Sequence, residues 1–161
     1  MTVTPREMRD AMGCFATGIT VITAQDANGR HVGLTANSFN SVSLEPPLVL
    51  FSLDRRANCV DAFTLEMAFT VNVLGVEQQA VSNHFASKAD DKFADMDFAW
   101  QTGDNGCAML DGAIASFECV TEAVHEGGDH VIIVGRVTHL NQVEDASPLL
   151  YFQGRYAALD C

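Results

Sequence analysis

Short apolar runs separated by turn-forming residues make up most of the chain, a pattern that predicts β-strands joined largely by hairpins. The first pair is a β-branched run at 19–24, an Asn-Gly turn within 26–29 and a return strand at 32–38. Two consecutive prolines, Pro46 and Pro47, indicate the entrance or the edge of the next strand, because proline cannot donate to a ladder. The later runs predict strands at 48–53, 68–74, 113–124, 131–140 and 149–156.

The N-terminal segment has the residues of a helix start. Thr4 is expected to be the N-cap, Pro5 the first helical residue and Glu7 the partner that completes a capping box. Gly18 is expected to end this helix, just before the first strand.

Two later segments also have helical character. A short helix is predicted around 58–65, and an amphipathic helix at 77–86 places Val81 and Phe85 on one face. The irregular, acidic stretch 87–112 is either a lid or a satellite cluster of aromatic residues. About seven strands and three helices, connected mostly by hairpins, predict a mainly β protein: an antiparallel barrel with peripheral helices.

Length and charge narrow the class of protein. The 161 residues fit a single domain, 1–161, with enough chain to bury a substantial core. Nine Lys and Arg against 21 Asp and Glu give a net charge of −12, which disfavours binding to nucleic acid or to anionic membranes. A phosphate-bearing ligand therefore needs local donors, and the candidates are Arg55, Arg56, Lys88, Lys92 and Arg155, although Lys92 and Arg56 are expected to be solvated surface charges.

Five cysteines, an odd number without a C-x-x-C pair, argue against a disulfide framework and favour a reducing cytoplasm. The N-terminus lacks an apolar signal core, and no run approaches the roughly 20 apolar residues of a membrane span. We therefore expect a soluble cytoplasmic protein.

The segment 33–39 and the strand that follows it to Ser52 form the most informative stretch. Its Thr, Asn and Ser side chains and backbone N–H groups suit a loop that holds a polar, phosphate-bearing ligand on a rigid sheet. An ordinary strand, turn and strand explains the same residues, since short polar side chains are common in turns for backbone reasons.

Three segments together resemble the short-chain flavin reductase family. They are Gly33 to Ser52, Gly128-Asp129-His130 with the apolar run to Gly135, and 149–156, and they occur in the family's order over nearly the whole chain. The resemblance implies an FMN-binding split barrel, an antiparallel β-barrel that reduces FMN or FAD with NADH or NADPH. It also implies a homodimer that supplies reduced flavin to a separate oxygenase component.

The resemblance also implies which residues bind the flavin. Ribityl and ring contacts fall to Thr35, Ala36, Asn37 and Ser38, and the opposite strand end supplies Ser52, Leu53, Asp54, Ala57 and Asn58. Asp54 stands where family members often carry Ser or Lys, and an acid repels phosphate; it is alternatively a solvent-facing or helix-capping residue.

Two further segments complete the implied site. Phe85 and Lys88 resemble the family's second flavin-contacting segment, with Lys88 as a phosphate donor, while Phe85 is equally explained as a core anchor. His130 is the implied contact to the nicotinamide nucleotide, and Phe152 and Tyr156 would shape the same pocket. Hydride transfer depends on positioning rather than on a protein acid or nucleophile, so no catalytic proton carrier is expected.

Other chemistries have weak support in the sequence. His125, His130 and His139 match no regular zinc spacing, no G-x-S-x-G elbow or G-x-G-x-x-G occurs, and the pairs Asp90-Asp91 and Asp95-Asp97 read as solvated loop acids. Two alternatives to a reductase stay open: a flavin carrier or sensor without NAD(P)H turnover, and a cofactor-free barrel. FMN is preferred over FAD, and the shortage of cations favours NADH over NADPH.

Overall fold

The computed structural model describes residues 2–94 and 96–159, so Asp95 of the predicted acidic pair and the fifth cysteine, Cys161, lie outside the described residues. Within them the helices are α1 (Pro5–Met12) and α2 (Gln79–Ala86), with 3₁₀ turns at Val60–Phe63 and Val76–Gln78. The strands are β1 (Thr17–Gly18), β2 (Thr20–Gln25), β3 (His31–Ala36), β4 (Asn40–Leu44), β5 (Pro47–Asp54), β6 (Ala68–Val73), β7 (Trp100–Thr102), β8 (Ala108–Leu110), β9 (Ala115–Gly127), β10 (His130–Gln142), β11 (Leu150–Phe152) and β12 (Arg155–Ala157).

Seven of these strands form one curved sheet in the order β3-β2-β6-β9-β10-β5-β4, and every neighbouring pair in it is antiparallel. β11 pairs with β1 and with β12 in a separate small sheet, and β7 pairs with β8. The predicted mainly β architecture with few helices is therefore confirmed. Neither helix within the described residues is long and apolar enough to cross a membrane.

The longest strands, β9 and β10, form a hairpin that turns at Gly128 and Asp129. Gly128 has φ 75°, the left-handed backbone that a two-residue hairpin turn needs at its first central position. The hairpin predicted from 113–124 and 131–140 is confirmed, with strands that extend to Gly127 and Gln142.

The core lies on both faces of β2. Ile22 belongs to one apolar cluster, where Phe51, Phe63 and Phe69 meet with ring centroids 5.4–6.0 Å apart in edge-on pairs. Val21 belongs to the other cluster, between the sheet and α2. A strand that is buried on both faces appears in the sequence as a continuous apolar run, and for this reason β2 could be predicted from the sequence.

The N-terminal helix differs from its prediction at one end. The capping box forms, since the Thr4 hydroxyl accepts from the Glu7 N–H at 3.2 Å and Glu7 accepts from the Thr4 N–H at 2.8 Å. The predicted end at Gly18 is wrong, because the helix stops at Met12 and the Gly13 N–H bonds to the Arg9 carbonyl at 2.9 Å. Gly18 instead ends strand β1.

Two other elements also differ from the sequence expectations. The helix expected around 58–65 is a single 3₁₀ turn, and the strand expected at 149–156 is broken into β11 and β12. The break is a turn at Gln153 and Gly154, whose φ values of 48° and 74° no continuous strand adopts.

The irregular stretch after α2 is a satellite cluster. Phe93 and Trp100 pack against Phe85 with centroid distances of 5.2 and 5.4 Å, and Phe98 packs against His84 at 5.6 Å. These contacts hold the segment against α2 and leave it on the side of the sheet away from the Phe51 cluster.

Candidate functional site

A cleft opens where β3 ends, lined on one side by Asn37 and on the other by Tyr151 of β11. It consists of a cavity of about 470 Å³ and a smaller one of about 180 Å³, and both residues line both cavities. Sites for small molecules span roughly 300–1,000 Å³, so the larger cavity alone is big enough for a ligand of that class.

The loop after β3 is tied to β5 by Ser38. Its hydroxyl accepts a hydrogen bond from the Ser52 N–H at 2.9 Å and lies 3.2 Å from the Ser52 carbonyl, to which it donates. This leaves Asn37 exposed beside both cavities. The predicted polar loop is thus shorter than expected, because residues up to Ala36 belong to β3 and the Ala36 side chain is buried.

The smaller cavity has a wall of linked hydroxyl groups. The Thr35 hydroxyl donates to the Ser82 carbonyl at 2.7 Å, and the Ser82 hydroxyl lies 2.9 Å from the Tyr156 phenol. The phenol donates to Asn83 Oδ1 at 2.7 Å. Helix α2 and strand β12 are therefore joined to β3 by polar contacts at the site itself.

The larger cavity is closed by the end of α1 and by the β11–β12 turn. The Gln153 N–H donates to the Gly13 carbonyl at 2.9 Å, and Arg9, Met12 and Phe15 line the opening. The sequence reasoning did not identify these residues or Tyr151 and Ser82. The structure shows that α1 buries none of its residues, and Met12 at its end is 53% exposed; Phe15, just beyond the helix, is 65% exposed.

The residues expected from the end of β5 lie apart from this cleft. Leu53 is 1% exposed and belongs to the core, so its side chain is unable to contact a ligand. Ala57 packs against the same core cluster, and Asn58 lines a separate cavity of about 150 Å³ together with Lys92. Ser52 contributes to the cleft only through the backbone groups that hold Ser38.

Asp54 forms an ion pair with Arg56, at 2.7 Å between Oδ2 and Nη2. The carboxylate also accepts from the Arg56 backbone N–H at 2.8 Å, so it closes the turn that follows β5. The hydrogen bonds from the Arg56 side chain and backbone hold the pKa of Asp54 well below its usual range. Asp54 therefore has a local role in the turn after β5, and the 3₁₀ turn that it was expected to cap has Cys59 as its N-cap.

Phe85, for which the sequence left two roles open, lies in the core. Its side chain has no exposed surface and packs beneath Gly33, where an added Cβ would lie 2.8 Å from Phe85 Cε1. The ring therefore shapes the floor under β3 without reaching the cleft, and Gly33 is required by this close approach.

The two lysines after α2 differ in their environment. Lys88 is exposed. Lys92, expected to be a solvated surface charge, is half-buried, and its ammonium donates to the Phe85 carbonyl at 2.7 Å and to the Gly33 carbonyl at 3.2 Å. Burial lowers the pKa of Lys92. Lys92 thus fixes the end of α2 to β3, and the expectation of a surface charge is wrong.

His130 begins β10 and lies opposite Asp54 in the register of β5. Its Nδ1 is 2.7 Å from Asp129 Oδ1, and this hydrogen bond lowers the pKa of the Asp129 carboxyl. Arg55 pairs with Glu126 and donates to the Gly128 carbonyl at 3.1 Å, so the turn is fixed beside the half-exposed imidazole. His130 lines neither cavity of the cleft.

Phe152 is 40% exposed and lines neither cavity, whereas Tyr156 lines the smaller one. Among the described residues, no group of three or more His, Cys, Asp or Glu side chains is placed to hold a metal ion. The structure thus gathers part of the predicted set at one cleft: Thr35, Asn37, Ser38 and Tyr156.

Comparison with known sequences identifies relatives over the whole fold. The family described as Flavin reductase like domain matches residues 12–160. The reductase subunit HsaB of a flavin-dependent monooxygenase from Rhodococcus jostii (strain RHA1) is 40% identical over 158 residues, which cover 98% of this chain and 80% of that protein. The chain spans less of some relatives: it matches 42% of the length of a Rhizobium meliloti (strain 1021) protein named "Probable flavin reductase", at 49% identity over 134 residues.

A solved structure has the same fold along its full length. The NADH:FAD oxidoreductase SgcE6 of Streptomyces globisporus C-1027, in complex with NAD and FAD fragments, superposes with a TM-score of 0.88 at 34% identity and covers 98% of this chain and 95% of that one. The predicted split β-barrel is thereby confirmed. On sequence and structure together, this chain belongs to the flavin reductase-like family.

Proposed function

We propose that this chain is an NAD(P)H:flavin oxidoreductase that supplies reduced flavin to a separate oxygenase component. The observation that carries the proposal is the cleft at the end of β3, with Asn37 exposed in it, in a chain of the flavin reductase-like family. The names of its relatives support the same activity: one is a reductase subunit of a flavin-dependent monooxygenase, and SmoA of Agrobacterium fabrum (strain C58 / ATCC 33970), 40% identical over 151 residues, is named FMN reductase (NADH).

The residues at the cleft fit a flavin. The smaller cavity is lined by hydroxyl, amide and apolar groups without a formal charge, which suits the uncharged ring and sugar chain rather than the phosphate. Arg9 adds a positive charge at the larger cavity, where it would attract a phosphate despite the net charge of −12. A flavin held there supplies the acceptor for the hydride of NAD(P)H.

The protein contributes positioning to this reaction. Holding two reactants in a near-attack geometry is worth roughly 7–11 kcal/mol of the barrier in well-oriented cases, and hydride transfer needs no acid or nucleophile from the chain. Thr35 and Asn37 would fix the flavin at the sheet edge, and His130, held by Asp129, would contact the nicotinamide nucleotide. We keep FMN as the preferred flavin and NADH as the preferred donor.

The proposal extends to assembly and location. We propose a homodimer, as the family resemblance implies, and exposed apolar side chains such as Leu44 at 93% and Leu65 at 60% are available to such a contact. The four described cysteines are free, which supports a reducing cytoplasm.

Two substitutions separate the proposed roles. Asn37→Ala should weaken flavin binding with little change in the KM for NADH, and His130→Ala should raise that KM far more than it weakens flavin binding. Steady-state oxidation of NADH at varied flavin and varied NADH measures both. Equal and small effects from the two variants would contradict the assignment, and flavin binding without any NADH oxidation would favour the carrier.

A further inference from the structure

The chain of hydroxyl groups at the smaller cavity has a defined direction. Asn83 Oδ1 is a carbonyl oxygen and only accepts, so the Tyr156 phenol gives its single proton to Asn83. The Ser82 hydroxyl, 2.9 Å from the same phenol oxygen, must then donate its own proton to Tyr156.

The Thr35 hydroxyl is directed in the same way. Its proton goes to the Ser82 carbonyl at 2.7 Å, because a carbonyl has no proton to give. The hydroxyl oxygens of Thr35 and Ser82 are left with lone pairs only, whereas Asn37 and Tyr151, which line the same cavity, carry groups that can donate. The Thr35–Ser82 side of the cavity therefore accepts hydrogen bonds and has no proton to donate.

Because Ser82 is buried, its acceptor-only hydroxyl discriminates between ligand groups that donate and ligand groups that accept. Ser82 is 1% exposed, so water has little access to compensate for a badly matched ligand group. A buried acceptor opposite another acceptor costs the desolvation of both, so the Thr35–Ser82 side of the cavity favours a ligand group that donates.

We propose that Tyr156 is a positioning residue that fixes the Ser82 hydroxyl as a hydrogen-bond acceptor beside Thr35, so that this side of the smaller cavity takes an uncharged, donor-bearing part of the flavin. The donor is a ribityl hydroxyl or the N3–H of the ring. This inference rests on the proposed function, since it names the part of the flavin that this cavity holds.

Binding of flavin analogues to the protein tests the inference. Lumiflavin lacks the ribityl hydroxyls and 3-methylriboflavin lacks the ring N3–H, and the dissociation constant of each is compared with that of riboflavin by fluorescence titration. For the native chain, the analogue without the relevant donor should bind about three- to tenfold more weakly, the worth of one hydrogen bond. Weaker binding of lumiflavin would identify the donor as a ribityl hydroxyl, and weaker binding of 3-methylriboflavin would identify it as the ring N3–H.

The decisive variant is Asn83→Ala, at an exposed position where the fold should tolerate it. Without the Asn83 acceptor the phenol turns its proton to Ser82, and the Ser82 hydroxyl becomes free to point its own proton into the cavity. The penalty should then fall to less than twofold. Asn83→Asp keeps an obligate acceptor, so the donor-lacking analogue should still bind more weakly than riboflavin. In Tyr156→Phe, as in Asn83→Ala, that difference in binding should be lost.

A matched control removes one hydroxyl hydrogen bond elsewhere. Thr138 donates to the Glu118 carbonyl at 3.1 Å on the β9–β10 hairpin, and Thr138→Val should leave the discrimination between analogues unchanged. Tyr156→Phe added to Ser82→Ala should cause no further change, because Tyr156 acts through Ser82. If both Asn83→Ala and Tyr156→Phe still bind riboflavin and still bind the donor-lacking analogue as much more weakly as the native chain does, the inference is wrong and the proposed function stands. If the native chain binds no flavin, the proposed function is wrong as well.

Discussion

Replacement of Phe85 by alanine tests whether this ring is a core residue or a ligand contact. The side chain has no exposed surface and contacts His84, Phe93 and Trp100 at centroid distances of 5.3, 5.2 and 5.4 Å. Phe→Ala in a core typically costs about 3–5 kcal/mol, because the lost transfer free energy adds to the cost of the cavity. Three edge-on or tilted aromatic contacts, each worth about 0.5–1.5 kcal/mol, place this site toward the upper part of that range.

Urea unfolding followed by the fluorescence of Trp100, the one tryptophan of the chain, measures the free energy of unfolding. For a chain of this size the expected loss corresponds to a fall in Tm of about 6–20 °C. Phe152→Ala is the matched control, since Phe152 is 40% exposed and its loss should cost less than about 1 kcal/mol. A small loss of stability in Phe85→Ala, combined with a large loss of flavin affinity, would refute the assignment of Phe85 to the core.

Two further substitutions test local features of the fold. Gly33→Ala places a Cβ 2.8 Å from Phe85 Cε1 and 3.2 Å from the Ile22 carbonyl, so it should lower the free energy of unfolding in urea by about 1–3 kcal/mol. Adding Phe85→Leu should relieve part of that loss, and simply additive effects of the two substitutions would contradict the contact. Arg56→Gln should raise the pKa of Asp54 toward the ordinary aspartate pKa of 3.8, as measured by carboxyl carbon NMR. Because the folded-state pKa is the lower one, the small stabilisation from Asp54 is present above pH 4 or so and is lost as the pH falls through the lowered pKa. An Asp54 that titrates at its ordinary pKa in the native chain would show that the ion pair does not form in solution.

The elements that the sequence predicted well are those whose pattern is local. The β2–β3 pair combines a β-branched run with an Asn-Gly turn, and the β9–β10 hairpin has Gly128 at the turn, so both are readable from neighbouring residues. The end of α1 was misplaced because Gly13 and Gly18 are both reasonable stop signals. In the structure the Gly13 carbonyl accepts from Gln153, a residue far along the chain that a local sequence pattern does not take into account.

The site was harder to predict because its walls come from distant segments. Thr35 and Ser82 are 47 positions apart, and Ser82 and Tyr156 are 74 positions apart. No local sequence pattern predicts the hydrogen bonds between them. Lys92 was misjudged for the same reason, since its two carbonyl partners lie on β3 and at the end of α2. Thr35, Asn37 and Ser38 were identified through the family resemblance, and the structure adds that they border one cleft.

The most direct test of the proposed activity is the anaerobic absorbance of the flavin band after the protein is mixed with FMN or FAD and then with NADH or NADPH. We expect rapid bleaching at catalytic amounts of protein, faster with NADH than with NADPH. Flavin that binds to the protein but stays oxidised with both nucleotides would contradict the reductase.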